Sequence, residues 1–250
     1  SDTNAVDSAA SIESVDEVAS SVDRSLGQTI NYYDGAEGYL AIPEGDGQYP
    51  ALVMIHEWWG LNDHIRNMAD EYAADGYVVL AVDLYSGQVA DTPDMAGQLA
   101  GAVREDTETA FANLRAATDY LRSLDYVDSE QLAAIGWCFG GDWAYRMATN
   151  DFGLDASVMY YGRFSADDDL DMMRTALLGH FGEDDQLIDI DTVREFKASL
   201  ESADDKHAVY IYPNAGHAFS NDTRSDSYDA AAAGVAKTRT LEFLEQNLAS

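Results

Sequence analysis

Gly136-Trp137-Cys138-Phe139-Gly140-Gly141 is the stretch on which the fold turns, and it carries the only cysteine of the chain. Before it, Leu132-Ala133-Ala134-Ile135 is a short continuous apolar run of the kind a buried strand makes. After it, Asp142 to Thr149 reads as helix, with Ala144, Ala148 and Trp143, Met147 at helical spacing. The pattern is strand, sharp turn, helix, with a reactive side chain at the apex. Such a nucleophile elbow requires almost side-chainless residues two before and two after its centre. Gly136 and Gly140 occupy those places.

A thiol at that apex gains twice. Free N–H groups and the helix dipole at the start of a helix favour the thiolate. The next residue's N–H is also placed to receive the oxyanion of a tetrahedral intermediate. The competing reading is a buried structural cysteine in a glycine-rich turn.

Outward from the elbow, strands alternate with helices. Ile30–Tyr33 and Gly38–Ile42 read as a hairpin around Asp34-Gly35. Ala51–Ile55 is a central strand, Ile65, Met68, Ala69 and Tyr72 mark a helix, and Tyr77–Val82 is the next strand. Residues 86–94 form a loop, followed by a helix from Met95 and a longer one with Phe111, Leu114, Ala117 and Leu121 on one face. Ala156–Tyr160 and Ala176–Phe181 are strands separated by the acidic loop 166–169. Helix 191–202 leads to strand His207–Tyr212, and a last helix turns Val235, Leu241, Leu244 and Leu248 inward. Strands apolar on both faces specify a mostly parallel sheet covered by helices on both sides, an α/β fold. Residues 1–28, an acidic Ser- and Ala-rich stretch without aromatics, read as a tail, and 29–250 as one domain.

Composition narrows the partners. The chain has 250 residues, with 46 acids against 14 bases and a net charge of −32. Residues 1–28 hold six of the acids and one of the bases, so the excess belongs to the folded body. Such a surface repels itself in dilute buffer, but at about 1 M salt the Debye length falls to about 3 Å. The expectation is a salt-adapted protein. No basic stripe exists for nucleic acid, and apolar runs end at about six residues, far short of the roughly 18 of a membrane span. A single cysteine makes no intramolecular disulfide and no cysteine-based zinc site. A start at Ser1 fits a cleaved precursor or an artificially trimmed chain, which leaves a cytoplasmic or exported location open; the expected state is a monomer or small homo-oligomer.

In parallel sheets, ligands bind beyond the carboxyl ends of the strands. The residues to search are therefore His56-Glu57-Trp58, Asp83-Leu84-Tyr85, Cys138, Tyr161-Gly162-Arg163, Glu183-Asp184-Asp185 and His217. A thiolate needs a base. His180 lies in an apolar strand and His64 at a helix start; His56 could reach the rim, but His217, in a loop late in the chain, follows the hydrolase order of nucleophile, acid, histidine. The acid should then come from Glu183, Asp184 or Asp185, and spacing does not choose among them.

Gly-Trp-Cys-Phe-Gly-Gly, Gly-Glu-Asp-Asp, Ala-Gly-His-Ala-Phe, His-Glu-Trp-Trp-Gly and Asp-Leu-Tyr together resemble the dienelactone hydrolase family of α/β-hydrolases, over about residues 30–248 and in order. The resemblance implies Cys138 as nucleophile, His217 as base and Asp185 as acid. It also implies that Glu57 contacts the resting thiol and controls its activation, and that the N–H groups of Trp58 and Phe139 form the oxyanion hole. The implied reaction is attack on an ester or lactone carbonyl, an acyl-enzyme, and release by water, with no metal or cofactor. Trp59, Tyr85, Trp137, Arg163 and Phe219 are candidates for the substrate pocket.

Two positions depart from the family's pattern. Family members that act on dienelactone carry carboxylate-binding arginines shortly after Asp-Leu-Tyr and four residues after the catalytic histidine. Here those positions hold Ser86-Gly87 and Asn221. Losing each charge-assisted hydrogen bond costs about 1.5–3 kcal/mol, so the expected substrate is not dienelactone itself. Arg163 or Arg224 could substitute. The competing readings are a thioesterase- or peptidase-type acyl hydrolase and a non-catalytic ligand-binding member of the fold.

Overall fold

Strand β3 (Tyr49–Ile55) shows why the chain makes a two-sided sheet: Leu52 and Met54 enter one apolar cluster while Ala51, Val53 and Ile55 enter another, and all five are fully buried. A strand side chain alternates between faces, so a strand apolar at every position demands cover on both. The computed structural model of the chain describes residues 27–248 except 166, 167 and 169. The tail expected over 1–28 thus lies almost wholly outside the described residues, as does most of the acidic loop 166–169. The first described strand is β1 (Gln28–Tyr33).

Among the described residues, eight strands form one sheet. β1 and β2 (Ala36–Ala41) make the antiparallel hairpin, and β2 pairs antiparallel with β4 (Val78–Val82). β4, β3, β5 (Val127–Trp137), β6 (Ala156–Tyr160), β7 (Ala176–Gly182) and β8 (Ala208–Tyr212) follow in parallel, giving the order β1-β2-β4-β3-β5-β6-β7-β8. From β3 the chain passes to β4 on one side and then to β5 on the other. That reversal opens a crevice beyond the carboxyl ends of β3 and β5. The elbow and the His56–Trp59 segment both lie there.

Helices α1 (Asp63–Ala74) and α6 (Ala230–Leu248) cover one face, with Ile65, Ala69, Tyr72, Ala236, Phe243 and Leu244 packed on Leu52, Met54 and Ile135. The other face carries α2 (Pro93–Glu105), α3 (Thr107–Arg122), α4 (Phe139–Thr149) and α5 (Ile190–Ala203). Leu114 and Leu121 of α3 and Trp143 of α4 are fully buried, each such side chain contributing about 1.5–3 kcal/mol by leaving water. Asn62 caps α1 by accepting from Ile65 N at 3.2 Å. Thr92 caps α2 by accepting from Met95 N at 3.3 Å, with Pro93 in the first turn.

The mostly parallel α/β sheet read from the sequence is the sheet observed. Differences are local. The helix read from Met95 begins at Pro93, because Thr92-Pro93 is itself a start signal. Helix α4 begins at Phe139 rather than Asp142. Val235 is a correction: it is 46% exposed, not inward. The buried stripe of α6 runs through Ala232, Ala236, Thr240, Phe243, Leu244 and Leu248, and small residues in its first turns bring the helix close to the sheet. Val235 lies beside that stripe. No helix among the described residues is long and apolar enough to cross a membrane.

Candidate active site

The elbow is crowded by backbone. Cys138 follows β5 directly at φ 53°, ψ −114° and is the N-cap residue of α4. A non-glycine residue pays roughly 1–3 kcal/mol of strain in such a conformation. The contacts around it enforce it: Cys138 N donates to Tyr160 O at 3.0 Å and Asp142 N to Cys138 O at 3.1 Å. A Cβ on Gly136 would lie 2.1 Å from Gly140 O, and one on Gly140 would lie 2.2 Å from Ile55 O. No side chain fits at either place, which is how the β3 terminus comes to lie against the turn.

His217 reaches the same point from the other end of the sheet. Its loop leaves β8 through Asn214 and returns through Ala218, both left-handed at φ 61° and 62°. The loop after β7 is tied to it by Glu183 N to Tyr212 O and Asp184 N to Ala215 O, both 2.9 Å. Those bonds set Asp185 behind the imidazole. His217 Nδ1 lies 2.8 Å from Asp185 Oδ2, and Nε2 lies 3.2 Å from Cys138 Sγ. The other carboxylate oxygen of Asp185 accepts from Leu187 N at 2.7 Å and Ile188 N at 3.1 Å. Glu183 instead pairs with Arg194 at 3.0 Å at the surface.

Burial of His217 opposes a charge on it, but its hydrogen bonds to Asp185 and Cys138, and the charges on both, prevail and raise its pKa to about 10. His56 has no such role. Fully buried, it accepts from Leu84 N on Nε2 at 3.2 Å and bonds Glu57 O through Nδ1 at 2.6 Å. Its burial pushes its pKa down.

Glu57 is buried, and its Oε2 accepts from Asn221 Nδ2. Burial raises its pKa, against the lowering effects of Asn221, of the His217 and Arg224 charges, and of the Tyr161 hydroxyl. The carbonyl of Trp58, next in sequence, accepts from Tyr85 Oη at 3.2 Å. Phe139 is buried below, its ring stacked on His56 at 5.6 Å. Trp59 packs on Trp58 at 5.0 Å and carries the Arg224 guanidinium over its ring at 5.1 Å. Arg163 is exposed beside the site, with its backbone N–H on Asp142.

Two of the pocket candidates are corrected. Trp137 is 2% exposed and stacks on Tyr160 at 5.4 Å within the cluster under α1 and α6. It sits one residue before the kink, on the face that Ala133 and Ile135 share, so strand alternation turns it inward. Phe219 is fully buried among Tyr160, Tyr161 and Tyr212. Both are core.

Two neighbours escaped the sequence reading. Asp142, in the first turn of α4, is 6% exposed and binds Arg104 Nη2 at 2.8 Å. Arg104, from α2, lies over the Phe139 ring at 5.3 Å and lowers the pKa that burial raises at Tyr85. The i+4 position of an acid after a nucleophile is the one signal that pointed to this brace. Beside His217, which forms part of its wall, opens a cleft of about 620 Å³ lined also by Asp184, Gln186, Asn214, Asp226 and Tyr228, with no lysine or arginine in that lining. No cluster of three or more metal-binding side chains exists among the described residues.

Residues 36–248 match the model of the dienelactone hydrolase family. A protein of Escherichia coli (strain K12) named "Putative carboxymethylenebutenolidase" is 30% identical over 227 residues, covering 85% of this chain and 83% of that one. "Protein usf" of Aquifex pyrophilus is 30% identical over 232 residues, covering 89% of this chain and 100% of that one. Among solved structures, the dienelactone hydrolase-like promiscuous phosphotriesterase P91 from metagenomic libraries superposes with a TM-score of 0.78 at 26% identity, over 88% of this chain and 98% of that one. By its sequence and its sheet, the chain belongs to the dienelactone hydrolase family, hydrolases of the α/β-hydrolase fold.

Proposed function

We propose that the protein hydrolyses a carboxylic ester or lactone through an acyl-enzyme on Cys138. The observation that carries this reading is the continuous line from Cys138 Sγ to His217 Nε2 at 3.2 Å and from His217 Nδ1 to Asp185 at 2.8 Å. With Asp185 anchored by two backbone N–H groups, the imidazole is held in one tautomer and orientation. The thiolate attacks the carbonyl carbon, and the oxyanion is received by the N–H groups of Phe139 and Trp58. His217 then gives its proton to the departing alkoxide, leaving a thioester. In the second half-reaction His217 takes a proton from water, which attacks the thioester and expels the Cys138 thiolate.

The substrate is an ester or lactone other than dienelactone itself. Asn221 is engaged with Glu57, and Gly87 N–H with the Asp83 carboxylate, so neither position where relatives place an arginine offers a cation. Arg104 is held by Asp142, and the wall of the cleft beside His217 carries Asp184 and Asp226. A ligand carboxylate there would meet like charge. The protein works in concentrated salt, where its net charge of −32 is screened.

Short aryl esters in molar salt test the mechanism. Cys138→Ala should lower kcat at least 10³-fold, and mass spectrometry of the quenched wild type should find the acyl group on the peptide bearing Cys138. Turnover undiminished in Cys138→Ala would overturn the mechanism.

A further inference from the structure

His56 takes no part in the acyl-transfer steps, yet it is fully buried directly after β3, with the Phe139 ring stacked on its own and Tyr85 set edge-on at 4.6 Å. An imidazole so placed serves either the core or the turn that follows it. Where its two nitrogens are spent decides between them. Nε2 accepts from Leu84 N, a backbone donor that cannot reverse, which assigns the ring proton to Nδ1. Nδ1 therefore donates, at 2.6 Å, to the carbonyl of Glu57. A charged ring would set a second N–H against that of Leu84, and burial acts in the same direction by pushing the His56 pKa down.

The Glu57 carbonyl belongs to the peptide whose other end is the Trp58 N–H. In a planar trans peptide the C=O and N–H point opposite ways, so fixing one aims the other. Glu57 O accepts a second bond, from Gly60 N at 3.1 Å, while Trp58 O accepts from Tyr85 Oη and Trp59 O from Ala90 N at 2.9 Å. Three successive carbonyls of the turn are thus committed, and no acceptor among the described residues takes the Trp58 N–H. Gly60, at φ 93°, lets the turn close on the segment between β4 and α2: a Cβ there would lie 2.6 Å from Gln88 O.

We propose that His56 is a positioning residue for the oxyanion hole: donating from Nδ1 to the Glu57 carbonyl, it aims the Trp58 N–H at the developing oxyanion, while its ring, stacked on Phe139, sets the separation of the two donors. A carbonyl that accepts from a side chain also polarises its peptide and makes the opposite N–H a stronger donor. The effect falls on the transition state, where charge on the oxygen grows, more than on the bound ester. This inference rests on the acyl-enzyme reading above and concerns how its oxyanion is held.

Two substitutions split the functions of the ring. In His56→Asn the amide can stand where Nδ1 stood and donate to Glu57 O; in His56→Gln the longer side chain keeps an acceptor for Leu84 N but carries no donor at the Nδ1 position. With 4-nitrophenyl acetate in molar salt, His56→Gln should lower kcat about 30-fold with KM changed less than about twofold, and His56→Asn should lower kcat only about threefold. Each variant loses one buried hydrogen bond, so a merely structural role predicts equal losses. Alkylation of Cys138 by iodoacetamide at pH 7 is the control, because displacement of iodide at a saturated carbon builds no oxyanion; its rate should stay within about twofold of wild type in both variants. Nitrogen-15 NMR of the wild type, which depends on no variant folding, should show His56 as the neutral tautomer protonated on Nδ1. Equal kcat losses in the two variants, a loss confined to KM, an alkylation rate that falls in step with kcat, or a His56 protonated on Nε2 would each overturn the proposal. Wild-type turnover that survived Cys138→Ala would instead count against the acyl-enzyme reading.

Discussion

His217 and His180 are both tied to neighbours through both ring nitrogens, yet their pKa values move in opposite directions, up to about 10 for one and down to about 3 for the other. Burial works against the charge in both. His180, on β7, is fully buried with hydroxyls as partners: Tyr212 Oη at 2.8 Å and Thr240 Oγ1 at 3.0 Å, with the Arg239 charge nearby opposing protonation further. His217 has a carboxylate on one nitrogen and a thiol on the other. What separates the two imidazoles is whether their partners can carry negative charge. Depth alone does not decide it.

Removing that charge should break the contrast. Asp185→Asn leaves the shape of the site but withdraws support from the imidazolium, and kcat should fall by about 10²–10⁴. The pH dependence of stability checks the cause. A histidine whose pKa rises on folding contributes stability that is fully present below its unfolded value of about 6.5 and is lost as pH rises through about 10. Denaturation at pH 7 and pH 10 should therefore show the wild type losing more stability over that interval than Asp185→Asn. An equal loss in the two proteins would mean that Asp185 does not set the charge of His217.

The same distinction governs how far the sequence could be read. The sheet was legible because a fully apolar strand such as Ala51–Ile55 has one solution, and the elbow because two glycines flank Cys138 at positions where backbone collides. His217 was legible from chain order. The choice of Asp185 over Glu183 and Asp184 was not visible in spacing: it depends on backbone bonds joining two loops from different strands. Asp142 looked like any surface acid in an acidic chain, since its burial comes from α2, whose Arg104 lies 38 residues earlier. Trp137 misled for a simpler reason. Lying beside Cys138 it invites a pocket role, while the period-2 rule of its own strand sends it into the core.

At His180 the expected effect is smaller. His180→Gln keeps polar atoms near Tyr212 and Thr240 but loses the ring geometry, and should cost about 1–3 kcal/mol at pH 7. The sign of the pH dependence reverses relative to His217. The unfolded chain binds a proton below about 6.5 that the folded His180 refuses until about pH 3, so the wild type loses stability as pH falls across that window. The variant should lose less between pH 6.5 and pH 4. Urea titrations at both pH values measure it, and an unchanged acid sensitivity would assign the effect to other groups.

Salt should separate buried from exposed electrostatics, with the smallest expected effect falling on the site itself. Most ion pairs of the surface are open, as between Arg194 and Asp191, and they sit in a field of −32 charges. At about 1 M salt a screening length near 3 Å quenches repulsion across the surface but acts little on a pair closed off from solvent. The melting temperature should accordingly rise by several degrees between dilute buffer and molar potassium chloride, while the pH profile of ester turnover shifts by less than about half a pH unit. If the melt were insensitive to salt, the acidic surface would not be an adaptation to it. If the profile moved as much as the melt, the charge on His217 would be drawn from the protein's overall field, and its contrast with His180 would owe less to Asp185 and Cys138 than to position on the molecule.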